Sequence, residues 1–364
     1  MYFFLLAHVI VMLVLRSALR TQLTWKKKRE TAVDRRFSVI IPMRNEEANV
    51  CSVLDDLKKQ SREGFLFEVV VIDDHSTDAT LQLAREYQNH WPELSIYALD
   101  ELQGKKAALA KGVEKAQYPW IITIDADVRL GSQWLHTLSN EACSLYDLYI
   151  LPLELTNGGS MSNEWQIIEN ESLLALTAAT AVMNEAVMCN GANLMFTKVA
   201  YEEALRLRRD EQWASGDDLF LLEAIKKKDK TRICFVPEQS VIARTEVSAN
   251  WLQQRLRWTG KTKRVKDMAT WLLGSYFAAM NLLVLVIWVL AFMGKLDLRE
   301  AFIFHLIKMW LDFFWIKPMR RFFNHPRRLV WRVLFFFCFP FYFVFIAVSS
   351  LLITPTWKGR GVRG

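Results

Sequence analysis

Apolar residues are distributed along this chain in three ways. Met1 to Leu15 form an uncharged run that ends at Arg16. From about Val33 to Lys266, short apolar runs alternate with polar turns and amphipathic stretches, and beyond Ala269 long apolar segments return. In the middle region, Phe37 to Pro42, Phe67 to Ile72, a stretch near Ser95 to Leu99, and Ile121 to Val128 read as strands. The first three lead into helical patterns: about Glu46 to Gln60, a helix capped by Ser76 or Thr77 with Asp78 in its first turn and running to about Asn89, and Lys105 to Ala116. Continuous apolar strands, each followed by a polar turn and a helix, predict a parallel α/β sheet. Further on, Tyr146 to Leu155 reads as a strand and Met161 to Met188 as mostly helix. Cys189 to Phe196 turns into a strand, and helices are expected over Val199 to Arg209 and from Trp213–Leu219 to Lys227. Ile233 to Val236 and Val241 to Ala243 read as strands, before an amphipathic, basic, tryptophan-bearing helix from Asn250 that suits a membrane interface.

The ends are membrane-like. Fifteen helical residues span about 23 Å against a hydrocarbon core of roughly 30 Å, so the first run crosses only if Ser17 to Leu19 join it and Arg16 snorkels. Its positive charge lies behind the apolar run, which predicts an anchor with Met1 outside rather than a cleaved leader. Ala269 to Gly294 is uncharged and long enough to span. Ala301 to Ile316 is interrupted by Lys308 and Asp312, whose i, i+4 spacing lets them pair inside a bundle. Val333 to Thr354 contains Pro340 and reads either as a span or as a re-entrant turn. The expected organisation is an anchor at 1–20, a cytosol-facing α/β domain at 33–247, an interfacial helix at 248–268 and a transmembrane region at 269–354, in a multi-pass chain of the cytoplasmic (inner) membrane.

Composition supports segregation. Of 364 residues, 52% are hydrophobic and 13% aromatic, yet 23% are charged, which fits one membrane-attached domain better than two soluble ones. The net charge of +7 comes from basic residues beside apolar segments: Arg16, Arg20 and Lys26 to Arg29; Lys261, Lys263, Arg264 and Lys266; Lys317, Arg320, Arg321, Arg327 and Arg328. That is the positive-inside pattern of cytoplasmic membrane flanks, and no nucleic-acid motif accompanies it. Lys358, Arg360 and Arg363 fall outside by a simple count and leave the C-terminal topology open. The five cysteines (Cys51, Cys143, Cys189, Cys234, Cys338) have no metal spacing and read as buried free thiols; His8, His90, His136, His305 and His325 have no ligand spacing either. Walker and G-x-G-x-x-G patterns are absent, which argues against a P-loop nucleotidase or a dinucleotide oxidoreductase.

In an open doubly wound sheet, ligands bind outside the carboxyl ends of the strands. Asp73 or Asp74, Lys105 or Lys106, and the Asp125/Asp127 pair are therefore expected along one crevice. Two residues apart in extended backbone, Asp125 and Asp127 point the same way and suit Mg²⁺ or Mn²⁺, which take carboxylate and phosphate oxygen. Plainer readings exist for each residue. Asp-rich turns close strands and cap helices, Asp218 sits where a helix N-terminus favours an acid, and Arg257 and Trp258 also suit a juxtamembrane anchor.

Taken together, Val39-Ile40-Ile41-Pro42-Met43-Arg44-Asn45-Glu46, Val71 to Asp78, Gly104-Lys105-Lys106-Ala107-Ala108-Leu109, Asp125-Ala126-Asp127, Gly216-Asp217-Asp218 and Gln254-Arg255-Leu256-Arg257-Trp258 resemble the family 2 glycosyltransferases. The likeness is to their membrane branch with a Q-x-x-R-W signature, which includes ceramide glucosyltransferases, polysaccharide synthases and bacterial lipid or carotenoid glycosyltransferases. It covers about Phe37 to Lys266. The resemblance implies a GT-A (Rossmann-like) domain that binds a nucleotide sugar, usually a UDP-sugar, with Mg²⁺ or Mn²⁺ as cofactor and a lipid or polysaccharide acceptor. By that resemblance Pro42, Asn45 and Glu46 join the donor site, Asp74 (or Asp73) reads the nucleobase, and Lys105 or Lys106 lies near the ribose and diphosphate. Asp125 and Asp127 hold metal and donor, Asp218 after Asp217 is the general base, and Gln254, Arg257 and Trp258 close over diphosphate and acceptor. His75 departs from the Gly or Asn common in that family and puts the turn's geometry in question. A single-transfer enzyme is expected, with a processive polysaccharide synthase or a noncatalytic nucleotide-sugar-binding subunit as the alternatives.

Overall fold

The computed structural model describes residues 1–24, 34–142, 144–207, 217–262, 266–325, 328–353, 356–357 and 360–361. Lys26 to Arg29, Cys143, Arg209, Trp213 to Gly216, Lys263, Arg264, Arg327, Lys358 and Arg363 lie outside the described residues, as do the side chains of Asp217, Lys261 and Arg360. The chain divides into two compact units, one of residues 25–156 and 188–246, the other of 1–24, 157–187 and 247–364.

In chain order the elements are α1 (Tyr2–Thr24), β1 (Arg36–Met43), α2 (Val50–Lys58), β2 (Leu66–Asp73), α3 (Thr80–Gln88), β3 (Leu94–Ala98), α4 (Lys105–Lys115), β4 (Trp120–Ile124), β5 (Arg129–Leu130) and α5 (Trp134–Glu141). There follow β6 (Leu148–Ile150), β7 (Leu153–Thr156), α6 (Met161–Ala181), β8 (Asn193–Thr197), α7 (Lys198–Arg206), α8 (Asp217–Asp229), β9 (Ile233–Phe235) and β10 (Ala243–Glu246). The last helices are α9 (Trp251–Thr262), α10 (Met268–Phe292), α11 (Leu298–Trp315), α12 (Lys317–Phe322) and α13 (Leu329–Leu352).

The first unit is built on a seven-stranded sheet of order β3-β2-β1-β4-β8-β6-β9, with a three-stranded sheet β5-β10-β7 beside it. β1 pairs in parallel with both β2 and β4, so Val39 faces Val69 on one side and Ile122 on the other. β8 runs antiparallel to its neighbours, and the remaining pairs of the large sheet are parallel. Both faces of the central strands are buried, as unbroken apolar runs require. One face packs Val39, Ile41, Val69, Val71 and Ile122 against Val53, Leu54 and Leu57 of α2 and Trp134 and Leu138 of α5. Each such side chain contributes about 1.5–3 kcal/mol on burial. On the other face α4 crosses β1 so closely that a Cβ at Gly112 would stand 2.4 Å from Ile40 Cγ2, which is why glycine sits there.

Several boundaries differ from the sequence expectation, and two of them bear on how the sheet unit is built. Tyr146 to Leu155 is not one strand: the chain breaks at Leu151–Pro152, sending β6 to the large sheet and β7 to the small one. Pro152 has no N–H to offer a ladder, and the buried Asn193 side chain pins the break by donating to the Pro152 carbonyl at 2.7 Å and the Val241 carbonyl at 2.9 Å. Neither Ser76 nor Thr77 caps α3, whose N-cap position is Ala79. Asp78 Oδ1 instead accepts from Thr80 N at 3.0 Å, while Ser76 and Thr77 are engaged by the preceding loop.

In the second unit, α1, α10 and α13 are long and apolar enough to cross a membrane. α1 continues past Arg16 to 23 residues, roughly 35 Å of helix. Rather than ending the span, Arg16 lies 3.9 Å from the Phe314 ring centroid and donates to the Phe314 carbonyl. Pro340 lies inside an uninterrupted helix of 24 residues, so the chain makes no turn there. Lys308 and Asp312 pair at 2.8 Å, as their spacing predicts. They belong to a longer chain: Tyr276 Oη, His8 Nδ1 (2.7 Å), His8 Nε2, Asp312 Oδ1 (3.0 Å), and Lys308 Nζ donating to Asn281 Oδ1 (2.5 Å). These polar groups join α1, α10 and α11 where water is excluded, so each needs a partner from a neighbouring helix.

The continuous 33–247 domain expected from sequence is interrupted, because residues 157–187 pack with the terminal helices. α6 carries the cause. Its buried Glu171 accepts two bonds from Arg332, at 2.6 and 2.8 Å, and lies 2.6 Å from His325 Nδ1. Glu164 pairs with Arg328, and Glu169 with Arg255 at 2.5 Å. Burial alone would raise the Glu171 pKa, but Arg332 and His325 hold it below the ordinary carboxylate value. Glu171→Gln leaves Arg332 buried without its counter-charge and should cost on the order of 3–5 kcal/mol. Reversible denaturation in detergent micelles should show this loss and show it largely recovered in Glu171→Leu/Arg332→Leu; a single variant as stable as the parent would contradict it.

Candidate active site

The site forms where β1, β2 and β4 end. Asn45 is left-handed, with φ of +50°, and this turns the chain so that its loop lies against the loop after β2. The two are bonded strand end to strand end. Asn45 N donates to Ser76 Oγ (3.0 Å) and Asn45 Oδ1 accepts from Thr77 N (2.9 Å). Glu46 N donates to Thr80 Oγ1 (2.7 Å), Glu47 N donates to Asp78 Oδ2 (3.2 Å), and Glu47 Oε2 accepts from Ala79 N (3.1 Å). The Asn45 side chain therefore braces the loops, and Pro42 remains in β1 opposite Ile72.

Both aspartates ending β2 are buried. Asp73 Oδ2 accepts from Ser76 N at 3.2 Å, while its Oδ1 has no hydrogen-bond partner. Asp74 Oδ2 accepts from Gly104 N at 3.0 Å, and its backbone carbonyl accepts from Arg44 at 2.9 Å. His75 is where the sequence departs from the resembled family, and the reason for Gly or Asn there is visible: φ is +56°, a left-handed region that Gly enters freely and that Asn, Asp and His tolerate better than other side chains. Two bonds hold it, Nδ1 to Asp74 Oδ1 (3.2 Å) and Nε2 donating to the Asp100 carbonyl (2.9 Å).

Asp125 and Asp127 converge by a different route from the one expected. β4 ends at Ile124, and the two carboxylates sit in the turn between β4 and β5 rather than in extended backbone. Lys105, at the start of α4, forms an ion pair with Asp125, and Lys106 beside it is half-buried. Asp127 accepts from Thr245 Oγ1 of β10 at 3.1 Å. Although open to solvent on one side, Asp127 is crowded by the crevice walls. Desolvation first, then the charges of Asp125 and Glu46, push its pKa up to about 6 against the opposing effects of Thr245 and Lys105. Burial would depress the Lys105 pKa, yet Asp125, Asp218 and Asp127 together raise it. Lys105 thus feels all three carboxylates at once, so residues more than a hundred positions apart share one electrostatic field.

Asp218 lies at the start of α8. Its Oδ1 accepts from Leu219 N at 2.9 Å and its Oδ2 from Gly191 N at 3.4 Å, while Cys189 Sγ donates to its carbonyl at 3.1 Å. It therefore has the helix-start role of the plainer reading. Gln254, Arg257 and Trp258 lie on α9, in the other unit. Thr245, Gly191 and the charge of Glu46 acting on Asp127 had no signal in the sequence, because each depends on which loops meet. Of the cysteines in the described residues, Cys234 is buried, Cys51, Cys189 and Cys338 are half-buried, and all are free.

Residues 38–205 match the description Glycosyl transferase family 2. The chain carries a family 2 glycosyl transferase domain. Glycosyltransferase AglE of Haloferax volcanii is 32% identical over 136 residues, 36% of this chain and 45% of that protein. The dolichyl-phosphate beta-glucosyltransferase of Dictyostelium discoideum is 33% identical over 99 residues, 25% of this chain and 30% of that protein. The matched region thus covers less than half of either relative. Among solved structures, the mannosyltransferase PcManGT from Pyrobaculum calidifontis, in complex with GDP-Man and Mn²⁺, aligns with a TM-score of 0.54 and 18% identity over 95% of this chain and 96% of that one. The glycosyl transferase domain and its GT-A fold are thereby the same class that the motif order implied.

The raised Asp127 pKa has a consequence for stability. A carboxyl whose folded pKa lies above its unfolded value favours folding when protonated, and that contribution is lost as pH rises through about 6. At pH 7.5 without metal or nucleotide, Asp127→Asn should therefore melt at a higher temperature than the parent, and the difference should vanish by about pH 4. Equal melting temperatures at both pH values would mean that the crevice does not crowd this charge.

Proposed function

We propose that the chain is an inverting, metal-dependent hexosyltransferase that moves a sugar from a nucleotide sugar, a UDP-sugar first among the candidates, to a lipid or lipid-linked acceptor at the cytoplasmic face of the inner membrane. The observation that carries this reading is the shared field of Lys105, Asp125, Asp127 and Asp218 at the carboxyl ends of a parallel sheet, where such sheets bind nucleotides.

The donor set suits a hard divalent cation. Desolvation first, then the nearby charges of Asp125 and Glu46, keep the Asp127 pKa raised despite Lys105, so added positive charge there is favourable. No three His, Cys, Asp or Glu side chains gather into a cage among the described residues. Asp125 and Asp127 would then hold Mg²⁺ or Mn²⁺ together with oxygens from diphosphate and water, the usual way Mg²⁺ is held. When bound, the ion supplies positive charge against the departing diphosphate.

The rest falls to the chain's own residues. The Asp73–Asp74 corner takes the nucleobase edge, and the unpartnered Asp73 Oδ1 supports it as an acceptor for a ring N–H. Pro42, Asn45 and Glu46 shape the donor wall, and Lys105, with Lys106 next to it, neutralises phosphate charge. An acceptor hydroxyl attacks the anomeric carbon opposite the diphosphate; the new C–O bond forms as the sugar–phosphate bond breaks, and Asp218 takes the hydroxyl proton. Asp217 precedes it as the acidic member of the motif. Gln254, Arg257 and Trp258 serve the diphosphate and acceptor. The three long apolar helices support a membrane acceptor, as does the name of the Dictyostelium relative.

The test is a panel of nucleotide sugars with Mg²⁺ or Mn²⁺ and native lipid extract, read by mass spectrometry. One sugar per acceptor is expected, and Asp218→Asn should lower transfer about 10²–10⁴-fold while keeping donor binding. Full activity in that variant would remove Asp218 from the role of base. A ladder of products would favour a processive synthase, and donor binding without any product a noncatalytic subunit.

A further inference from the structure

The Q-x-x-R-W residues on α9 are held by a residue that the signature leaves unspecified. Arg255 is 2% exposed, while Gln254, Arg257 and Trp258 around it are half-buried. Its guanidinium is engaged on several sides. Nε donates to Glu169 Oε2 at 2.5 Å, Nη1 donates to Gln254 Oε1 at 2.7 Å, and Cζ lies 4.5 Å from the Trp258 ring centroid. Glu169 is fixed in turn: Tyr342 Oη of α13 lies 3.3 and 3.4 Å from its two oxygens, and the Tyr342 ring packs edge-on against Trp165 of α6 and tilted against Trp251 of α9. Burial raises the Glu169 pKa, the expected consequence of enclosing an acid whose counter-charge is Arg255.

We infer that Arg255, held by Glu169 and Tyr342, is the positioning residue that sets the orientation of Gln254 and Trp258. A planar fork can bond a carboxylate through one edge, an amide through another nitrogen and stack on an indole at the same time. Lysine, a point charge on a flexible stem, keeps at most one of these contacts. Arg255 sits three positions before Trp258, so on a helix the two share a face, and its bond to the adjacent Gln254 is made by the reach of the guanidinium. The device ties the signature helix to α6 and to the apolar helix α13, so the geometry of the two signature side chains depends on how those helices pack. Charge alone explains neither the amide bond nor the stacking, and a helix anchor would need neither Gln254 nor a buried acid.

The kinetic consequence rests on the proposed glycosyl transfer, but the positioning itself does not, and the test has an arm for each. The full chain, labelled with 5-fluorotryptophan in micelles, gives a ¹⁹F resonance for Trp258 that its loss in Trp258→Phe assigns. Arg255→Lys and Glu169→Gln should each shift and broaden that resonance while leaving those of Trp91 and Trp134, in the sheet unit, in place. An unchanged Trp258 resonance in both variants overturns the inference whether or not transfer is observed. In the kinetic arm, Glu169→Gln should lower kcat about ten-fold in the parent but less than about two-fold in Gln254→Ala, since effects that act through one residue are not additive. Losses that simply multiply would mean that Glu169 and Arg255 only stabilise the fold. A parent without transfer activity would overturn the proposed function and leave the ¹⁹F result to decide the positioning.

Discussion

Like charges that the fold forces together are the constraint on which the glycosyl transferase domain depends. Parallel strands that share one direction deliver all of their terminal polar residues to one edge, and here that edge receives Asp73, Asp74, Asp125 and Asp127. Lys105 relieves part of the repulsion through Asp125, but desolvation first, then the charges of Asp125 and Glu46, still push the Asp127 pKa up to about 6. Added positive charge in a crevice of this kind relieves that crowding. The bonds between the 45–47 and 76–80 loops keep the strand ends from splaying apart under that repulsion.

The second unit solves the opposite problem, polar groups with no water. Several buried charges among its described residues have partners in other segments. His8, Lys308 and Asp312 link α1 to α11, and the glutamates of α6 meet Arg255, Arg328 and Arg332. Breaking one partner leaves a buried charge uncompensated, which costs several kcal/mol. Helices that are otherwise apolar on every side can be given a fixed arrangement in this way.

Much of this was legible from the pattern of the chain. The unbroken apolar runs of β1, β2 and β4 announced a parallel sheet, and a sheet of that kind announced where its ligand would bind. The i, i+4 spacing of Lys308 and Asp312 announced their pair. Other features were hidden because they depend on contacts between distant loops. No local pattern says that Pro152 divides a strand between two sheets, that Asn45 and not a cap engages Thr77, or that Thr245 reaches Asp127. The acids of α6 did leave a trace, since three glutamates in an apolar helix need partners, but the sequence does not name Arg255, Arg328 and Arg332. His75 shows the reverse case, in which a departure from the family pattern located a left-handed turn.

The central claim is that Asp125 and Asp127 bind a divalent cation jointly with a nucleotide diphosphate. Electron paramagnetic resonance of free Mn²⁺, titrated into the full chain at pH 7.5 with and without UDP and GDP, measures this directly. The account predicts that one of the diphosphates tightens Mn²⁺ binding at least about ten-fold, near 1.4 kcal/mol, and that the gain disappears in Asp125→Asn/Asp127→Asn. Mn²⁺ binding that ignores both the diphosphates and these two substitutions would contradict it.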